Sequence, residues 1–552
     1  EDTMLYPKRS FSNLIRKINS FKHTELIRRM GDIKVEFGTS PVRARANTLI
    51  FFPFRPLTFY CGISALVAFK GGSGSVFNPD RLNKVIPEID SSSLAEAISI
   101  ETEFLGGEKE LDALFGILQE IKQEACFGDI FFNPDKQAQL NEAAAKLKEI
   151  LERETGLSRE KSDAMSAAEV ETVSSRLEKL SDILWCMEKE ILDNITAIQK
   201  LSIDLKESKD TKSLSVFKRI NAVLNSIDRL EVRGRDSSGI SVLFTFTKQE
   251  FENFREKMLK AGLSERLKQR TNHLVLSNNS ITINDTYPEN GTHHVSISFV
   301  YKFAAEIGAL GDNVAFIRSQ IKNDLMLQLL SSFNFLGNSV SAHTRWASVG
   351  DISVANCHPV DNTPTDHEIS RNGIIHVCLN GDIDNYLELK TEHEARYDKI
   401  HPEINTDTKL IPLQIEHYLR LGHPLEESFR LAVNDFEGSH AISMHSNLAP
   451  GRLFLAQKGS GQAIFVGIAK DHYIAASELY GIVEETQDYI KLNGEDKGQI
   501  VILDQESAGG VDGIRSLYYD GAPIAISEDQ VLNSQITSRD IDRQNFPHYF
   551  LK

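Results

Sequence analysis

The chain has 552 residues, 41% of them hydrophobic and 25% charged, with a formal net charge of −17. Its length predicts about two to four domains, and its composition is ordinary for a globular protein. The acidic balance argues against a nucleic-acid partner, because phosphates would repel the average surface. No uninterrupted apolar run is long enough to span a bilayer, so we expect no membrane partner.

Residues 1–60 have the opposite charge balance from the rest of the chain. They hold 11 Lys and Arg against 5 Asp and Glu, a net of +6, so the remainder must carry −23 to give the total of −17. A basic segment of this kind could be a transit peptide. We favour a removable or docked pro-segment, because "RPLTFY" (55–60) runs straight into Cys61.

Residues 71–228 show helical spacing. The glycine-rich "KGGSGS" at their start lacks the GK[ST] of a phosphate-binding loop, so we interpret it as a flexible exit. A heptad-like apolar stripe predicts one helix, and its members are Val173, Leu177, Leu180, Leu184, Met187 and Ile191. A second stripe consists of Leu140, Ala144, Leu147 and Leu151, and a polar stretch around Gly156 separates the two. We predict a helical hairpin or small bundle, with a partner-binding coiled coil as the alternative.

After residue 238 the pattern changes to alternating strands and helices. The stretches "ISVLFTF", "SITIND" and "HHVSISFVYKF" alternate as strands do, and "DNVAFIRSQIKNDLMLQLLSSF" predicts one helix. Short apolar runs follow, from "HVCLNGDIDNY" to "IVILDQ", around two more helical stretches, "TKLIPLQIEHYLRLG" and "PLEESFRLAVNDF". This mixture predicts an α+β layered sandwich.

The cysteines are few and widely spaced. They are Cys61, Cys126, Cys186, Cys357 and Cys378, with no CxxC pair. This usage predicts a reducing, cytoplasmic setting without a disulfide framework, and no metal site or cofactor is expected. Four of the five are most simply small apolar core residues.

Several short motifs follow one another in the chain. They are "CGI" (61–63), "RLEVRGRDSSGI" (229–240), "AHTRWASVG" (342–350), "NCHP" (356–359), "LNGDIDNY" (379–386) and "NTDTK" (405–409). Each has an ordinary interpretation alone: Asn-Gly as a hairpin turn, Thr-Asp-Thr as a helix cap, His343 as a core histidine. In this order they resemble the glutaminase domain of class II glutamine amidotransferases, which are N-terminal-nucleophile hydrolases. Within that class they resemble the glucosamine-6-phosphate synthase (glutamine–fructose-6-phosphate aminotransferase) family.

The resemblance covers residues 61–70 and about 228–552, and it implies a four-layer αββα sandwich with a large helical insertion. The predicted segments are a pro-segment (1–60), a glutaminase domain (61–70 with 229–525), the insertion (71–228) and a linker (526–552). In the family such a linker leads to sugar-phosphate isomerase domains. No phosphoribosyltransferase loop or SGGxDS motif points to other relatives of the class.

The resemblance also implies roles for residues of the motifs. Cys61 would attack the side-chain amide of glutamine, with its own α-amine as base. The side chain of Asn380 and the backbone N–H of Gly381 would bind the oxyanion, and Arg233 would lie close to the nucleophile.

Other motif residues would bind the substrate. Arg345 would bind the α-carboxylate of glutamine and Asp407 its α-ammonium. Ser348 stands where the family has a threonine near that carboxylate. Trp346 and His358 match supporting residues of the pocket.

Three departures from the family pattern stand out. Val349 precedes Gly350 where the family usually has histidine, so we expect one contact of the pocket to change. Arg235 and Ser238 replace a tyrosine and an alanine. Cys61 has 60 residues before it, and no methionine directly precedes it, so cleavage after Tyr60 is needed to free its amine.

The expected function is therefore hydrolysis of L-glutamine to glutamate and ammonia, with ammonia destined for a sugar-phosphate acceptor on domains or chains not present here. The family resemblance suggests a homo-oligomer. The alternative is a catalytically silent or latent scaffold, with Cys61 masked by residues 1–60 and the insertion mediating assembly.

Overall fold

The structure is a computed structural model, and it describes residues 61–70, 75–271, 278–286, 293–305, 310–363, 373–507 and 509–542. The predicted pro-segment (1–60), most of the glycine-rich stretch and the last ten residues of the predicted linker lie outside these ranges.

Two antiparallel sheets lie at the centre of the described chain. Their strands are β1 (Gly62–Ala68), β2 (Ser237–Thr247), β3 (Ser280–Thr286), β4 (His294–Ala304), β5 (Gly337–Arg345), β6 (Val360–Asp361), β7 (Ile375–Gly381), β8 (His440–Ser446), β9 (Arg452–Lys458), β10 (Phe465–Ile468), β11 (His472–Ala476), β12 (Asp488–Lys491), β13 (Gln499–Asp504), β14 (Ile514–Tyr518), β15 (Pro523–Ile524) and β16 (Leu532–Asn533). Nine strands form the first sheet in the order β16-β12-β10-β11-β1-β5-β2-β4-β3, and seven form the second in the order β15-β14-β13-β9-β8-β7-β6.

Strand β1 lies in the middle of the first sheet and packs on both of its faces. Ile63, Ala65 and Val67 belong to the apolar cluster between the two sheets, together with Cys378 and Leu455. The intervening Leu66 and Ala68 belong instead to the cluster shared with the helices outside the sheet. This period-two alternation puts β1 inside a stack of layers, because successive strand side chains point to opposite faces.

Helices cover the outer face of each sheet. The helices that follow β1 are α1 (Asp80–Ser91), α2 (Ile100–Glu103), α3 (Gly107–Ile121), α4 (Glu124–Phe131), α5 (Pro134–Lys161), α6 (Ala167–Trp185), α7 (Asp193–Leu201), α8 (Leu205–Ser208) and α9 (Thr211–Leu230). Those that follow β2 are α10 (Lys248–Lys260), α11 (Ser264–Thr271), α12 (Asp312–Asn323), α13 (Leu325–Leu330), α14 (Tyr386–Arg396), α15 (Leu410–Arg420) and α16 (Leu425–Asn434).

Helix α9 packs on β1 and β5, and α15 and α16 share a cluster with the second sheet through residues such as Leu413 and Phe429. The layers therefore run helix, sheet, sheet, helix. The predicted α+β class and the four-layer αββα sandwich are confirmed.

The predicted helices of residues 71–228 form, and the break between the two stripes falls inside the polar stretch 152–169 that separates them. Helix α5 continues through Gly156 to Lys161, and the chain turns only before Ser166, which caps α6 in a capping box with Glu169. Gly156 itself does not interrupt the helix, because one glycine costs a helix only about 1 kcal/mol. The first stripe spans α6 and a π-helical segment, Cys186–Leu192, and Val173, Leu180 and Met187 are buried.

The prediction of a single helix between residues 312 and 333 is wrong. Asp324 adopts a non-helical conformation and divides it into α12 and α13. Its side chain accepts from the N–H groups of Met326 and Leu327 and also binds Arg270 and Tyr301. The first N–H groups of a helix have no acceptor within the helix, and the Asp324 side chain supplies one for α13.

The C-terminal part of the described chain contacts the helices of residues 80–230. Asp182 accepts hydrogen bonds from the Thr537 hydroxyl at 3.2 Å and the Arg539 Nε at 2.5 Å. Trp185 Nε1 donates to the Ser538 hydroxyl at 2.8 Å. Helix α6 thus binds the segment that the sequence analysis assigns to the linker.

Candidate active site

The site is built around the first residue of the described chain. Cys61 directly precedes β1, and its residue is 9% exposed. Its Sγ accepts from the backbone N–H of Trp346 at 3.3 Å, and the thiol points back to the Trp346 carbonyl at 3.5 Å. Gly62 is required here by space, because a Cβ would lie 2.6 Å from the Leu230 Cβ and 2.7 Å from a methyl of Thr344. The close packing fixes Cys61 against the end of β5.

The Cys61 thiol is protonated at neutral pH in this environment. Burial raises its pKa to about 12, although the Trp346 N–H and the charge of Arg345 act in the opposite direction. A buried thiol needs a base to become a nucleophile. The peptide nitrogen that joins Cys61 to Tyr60 is not basic, so the intact chain lacks the amine that the resemblance implies as the base.

Asn380 is held directly beside Cys61. Its Nδ2 donates to the Cys61 carbonyl at 2.9 Å, and its Oδ1 lies 3.1 Å from Nε2 of His343. Burial lowers the pKa of His343 to about 3, so the ring is neutral and donates through Nε2. With Oδ1 accepting from His343, the amide NH₂ of Asn380 is turned toward the Cys61 carbonyl.

Gly381 ends β7 in a conformation that suits only glycine. Its φ is +90°, and a Cβ would lie 2.1 Å from the carbonyl oxygen of Ser439. The close pairing of β7 with β8 therefore requires glycine at this position. The hydrogen bond from Asn380 to the Cys61 carbonyl places this end of β7 beside the start of β1.

Arg345 and Asp407 are both buried close to this point. The Arg345 guanidinium donates to the carbonyl of Asp351 at 3.0 Å and to that of Val349. Asp407 accepts from the N–H of Ile383 at 2.9 Å and of Thr408 at 2.8 Å. Burial raises the pKa of Asp407 to about 6 despite these donors.

The supporting residues predicted from the sequence take different places. His358 is buried, with Nε2 2.9 Å from the Thr408 hydroxyl and its ring 4.3 Å from that of His343. Trp346 contacts Cys61 through its backbone while its residue is 37% exposed. The Ser348 hydroxyl is exposed and donates to Asp382 Oδ1 at 2.6 Å.

Arg233 lies on the loop after α9 and forms an ion pair with Glu478. The next residue before that partner is Ser477, whose hydroxyl accepts from the N–H of Ile63 at 3.1 Å. Arg233 is therefore connected to the start of β1 through Glu478 and the adjacent Ser477. The proposed roles of all these residues stay predictions.

No protein-family model matches the chain. Its sequence relatives include glutamine–fructose-6-phosphate aminotransferases. That of Bacillus spizizenii is 29% identical over 210 residues, which are 38% of this chain and 31% of the relative. That of Methanothermobacter thermautotrophicus is 37% identical over 163 residues, 30% of this chain and 25% of the relative. The chain thus spans about a third or less of the length of these curated relatives.

The predicted likeness to class II glutamine amidotransferases is confirmed. Among solved structures, the allosteric regulatory enzyme of purine biosynthesis aligns at a TM-score of 0.33 and 15% identity, over 54% of this chain and 46% of that one. The Bacillus subtilis glutamine phosphoribosylpyrophosphate amidotransferase aligns at 0.29 and 16%, over 51% and 49%.

The departure from the amidotransferase pattern at Val349 affects a residue that acts through its backbone. The Val349 carbonyl accepts from Arg345, so a change of side chain leaves this contact in place. Ser238 donates to the Thr344 hydroxyl at 3.1 Å, and the Arg235 carbonyl accepts from Asn313 at 3.0 Å. The Ser238 side chain thus has a partner in the sandwich, whereas this contact of Arg235 is made by its backbone and does not depend on the side chain.

The sequence analysis missed three residues that shape the site. His343 was interpreted as a core histidine, whereas it orients Asn380; its place in "AHTRW" was the available signal. Asp382 and Glu478 bind Ser348 and Arg233 across long sequence separations, which no local pattern reveals.

Within the described ranges, no group of three His, Cys, Asp or Glu is placed to hold a metal ion. Over the same ranges, no helix has the length and apolarity needed to cross a membrane.

Proposed function

We propose that this chain is a glutaminase that hydrolyses L-glutamine to glutamate and ammonia through a thioester on Cys61. The observation that carries the proposal is the hydrogen bond from Asn380 Nδ2 to the backbone carbonyl of Cys61 at 2.9 Å. It holds a predicted oxyanion donor beside the residue of the predicted nucleophile, as acyl transfer requires.

The chemistry begins with removal of residues 1–60. Cleavage of the Tyr60–Cys61 bond turns a non-basic amide nitrogen into an α-amine with an ordinary pKa of about 8. That amine takes the thiol proton as sulfur attacks the δ-carbon of glutamine. Asn380 Nδ2 and the Gly381 N–H stabilise the oxyanion, and the amine returns the proton to the leaving nitrogen. The carbon–nitrogen bond breaks, ammonia leaves, and water hydrolyses the thioester to glutamate.

The substrate is oriented by its charged groups. Asp407 is ionised above its pKa of about 6 and is then suited to bind the α-ammonium. Arg345 is fixed by the Val349 and Asp351 carbonyls and is suited to bind the α-carboxylate. The predicted roles of Trp346, His358 and Arg233 are to support this pocket.

The use of ammonia belongs to the same proposal. The named relatives are aminotransferases that act on fructose 6-phosphate, and we infer a sugar-phosphate acceptor supplied outside the described residues. A cytoplasmic location and a homo-oligomeric state are part of this proposal. The scaffold alternative gains no support from these relatives.

The test is release of ammonia from L-glutamine by the purified chain and by Cys61→Ala. We expect the variant to lose the activity, because alanine leaves no thiol at this position to form the thioester. Cys126→Ala is the matched control, since Cys126 is buried in α4, within the predicted insertion. Ammonia release by Cys61→Ala at the rate of a wild-type chain cleaved after Tyr60 would contradict the proposal.

A further inference from the structure

Asp382 lies within the candidate active site, but the proposed reaction gives it no role. It directly follows Gly381, and the next residue, Ile383, donates its N–H to Asp407 at 2.9 Å. Asp382 therefore lies between a predicted oxyanion donor and the predicted ligand of the substrate ammonium. It is half-buried, and its backbone is held by the Ser439 carbonyl at 3.3 Å.

The Asp382 carboxylate engages the Ser348 hydroxyl at 2.6 Å. This bond holds the Asp382 carboxylate in place directly after Gly381, the predicted oxyanion donor for the side-chain group of the substrate. The charge of Asp382 is therefore fixed near the part of the ligand in which glutamine and glutamate differ.

The charge of Asp382 also acts on the reacting centre. It contributes to the raised pKa of both Cys61 and Asp407, whereas Arg345 lowers the pKa of both groups. The pocket therefore presents two carboxylates opposite one guanidinium. A ligand with a net negative charge meets more repulsion there than a net-neutral one.

We propose that Asp382 is a specificity-determining residue that selects the net-neutral glutamine against anionic ligands of the same shape, glutamate above all. The inference rests on the proposed glutaminase function and deepens it. Hydrolysis replaces the neutral side-chain amide of the substrate by a carboxylate. Asp382 then weakens binding of the product and favours its release.

The experiment compares the wild-type chain with Asp382→Asn and the control Asp384→Asn. Asp384 lies two residues further on and is exposed, and its replacement by asparagine removes the same charge. The measurements are the KM for L-glutamine, the competitive inhibition constant of L-glutamate, and the equilibrium dissociation constant of glutamate by calorimetry. Because glutamate is not consumed, the calorimetric arm does not depend on turnover.

We expect Asp382→Asn to bind glutamate about tenfold more tightly, with the KM for glutamine changed less than about threefold, as for the loss of one partly screened charge. The gain should shrink at high salt, and Asp384→Asn should match wild type. An unchanged ratio of glutamate to glutamine affinity in Asp382→Asn would overturn the inference. A wild-type chain that binds neither ligand would instead overturn the proposed function, so the two failures are distinguishable.

Discussion

Two regions of the molecule differ in how tightly neighbouring atoms pack around their glycines. One is the end of the sandwich around Cys61, and the other is the set of helices in residues 80–230. At the site there is no room for a Cβ: on Gly62 it would collide with the side chains of Leu230 and Thr344, and on Gly381 with the carbonyl of Ser439. In α5, a Cβ on Gly156 would meet nothing within 4 Å. The contrast shows that the chemistry lies where strand ends approach closely, whereas the helices need only their buried stripes.

The largest effect within this contrast is expected at Asn380. Asn380→Ala removes the amide that faces Cys61 while the neighbouring strand register stays in place. We expect kcat for glutamine hydrolysis to fall by about 100- to 1000-fold, the usual loss for one oxyanion donor. Steady-state kinetics with Asn385→Ala as control, a partly exposed amide after β7, checks this. A change of less than about threefold in Asn380→Ala would remove it from the machinery.

Gly381→Ala tests the close approach itself. The added Cβ would collide with the Ser439 carbonyl at 2.1 Å, and its φ of +90° is unfavourable for alanine. We expect a loss of about 2 kcal/mol or more in the free energy of unfolding, together with loss of activity. Denaturant unfolding measures the first, and a wild-type midpoint would show that the strand end is less constrained than described.

Substrate binding should depend on pH through Asp407. Its pKa is raised to about 6 by burial, so the carboxylate is charged above that pH and neutral below it. The ammonium of glutamine needs the charged form. We therefore expect the KM for glutamine to rise as pH falls through 6, approaching about tenfold per pH unit well below it.

Asp407→Asn should bind glutamine weakly and lose this dependence. A KM that stays flat between pH 5 and 7 in the wild-type chain would argue against Asp407 as the ammonium ligand.

A smaller effect is expected where α6 binds the C-terminal segment. Asp182→Ala removes the acceptor of Thr537 and Arg539. We expect about 1 kcal/mol less local stability, seen as several-fold faster hydrogen exchange at residues 537–539. Glu178→Ala is the control, because its side chain is 68% exposed and its contact with Arg539 is long at 3.4 Å. Equal exchange in both variants would show that the contact does not hold the segment.

The smallest effect should have the opposite sign. Gly156→Ala fills open space on an exposed turn of α5. We expect a gain of about 0.5–1 kcal/mol in the free energy of unfolding, because alanine is the better helix former. A loss of stability would mean that Gly156 has a packing role and that the insertion is as constrained as the site.

Much of this could be predicted from the sequence because the site motifs are local. Cys61-Gly62 and Asn380-Gly381 are adjacent pairs whose glycines are imposed by space, and alternation in β2, β3 and β4 indicated strands. The break at Asp324 was missed because its capping role depends on Arg270 and Tyr301, distant in sequence. The pairs Ser348–Asp382 and His343–Asn380 likewise exist only once β5 and β7 are brought together.

Cys61 should act as a nucleophile once its amine is freed. The intact mass of the purified chain after incubation with an electrophilic glutamine analogue tests this directly. We expect a chain that begins at Cys61 and carries one adduct, absent from Cys61→Ala. A folded chain that retains residues 1–60 and carries no adduct would contradict it.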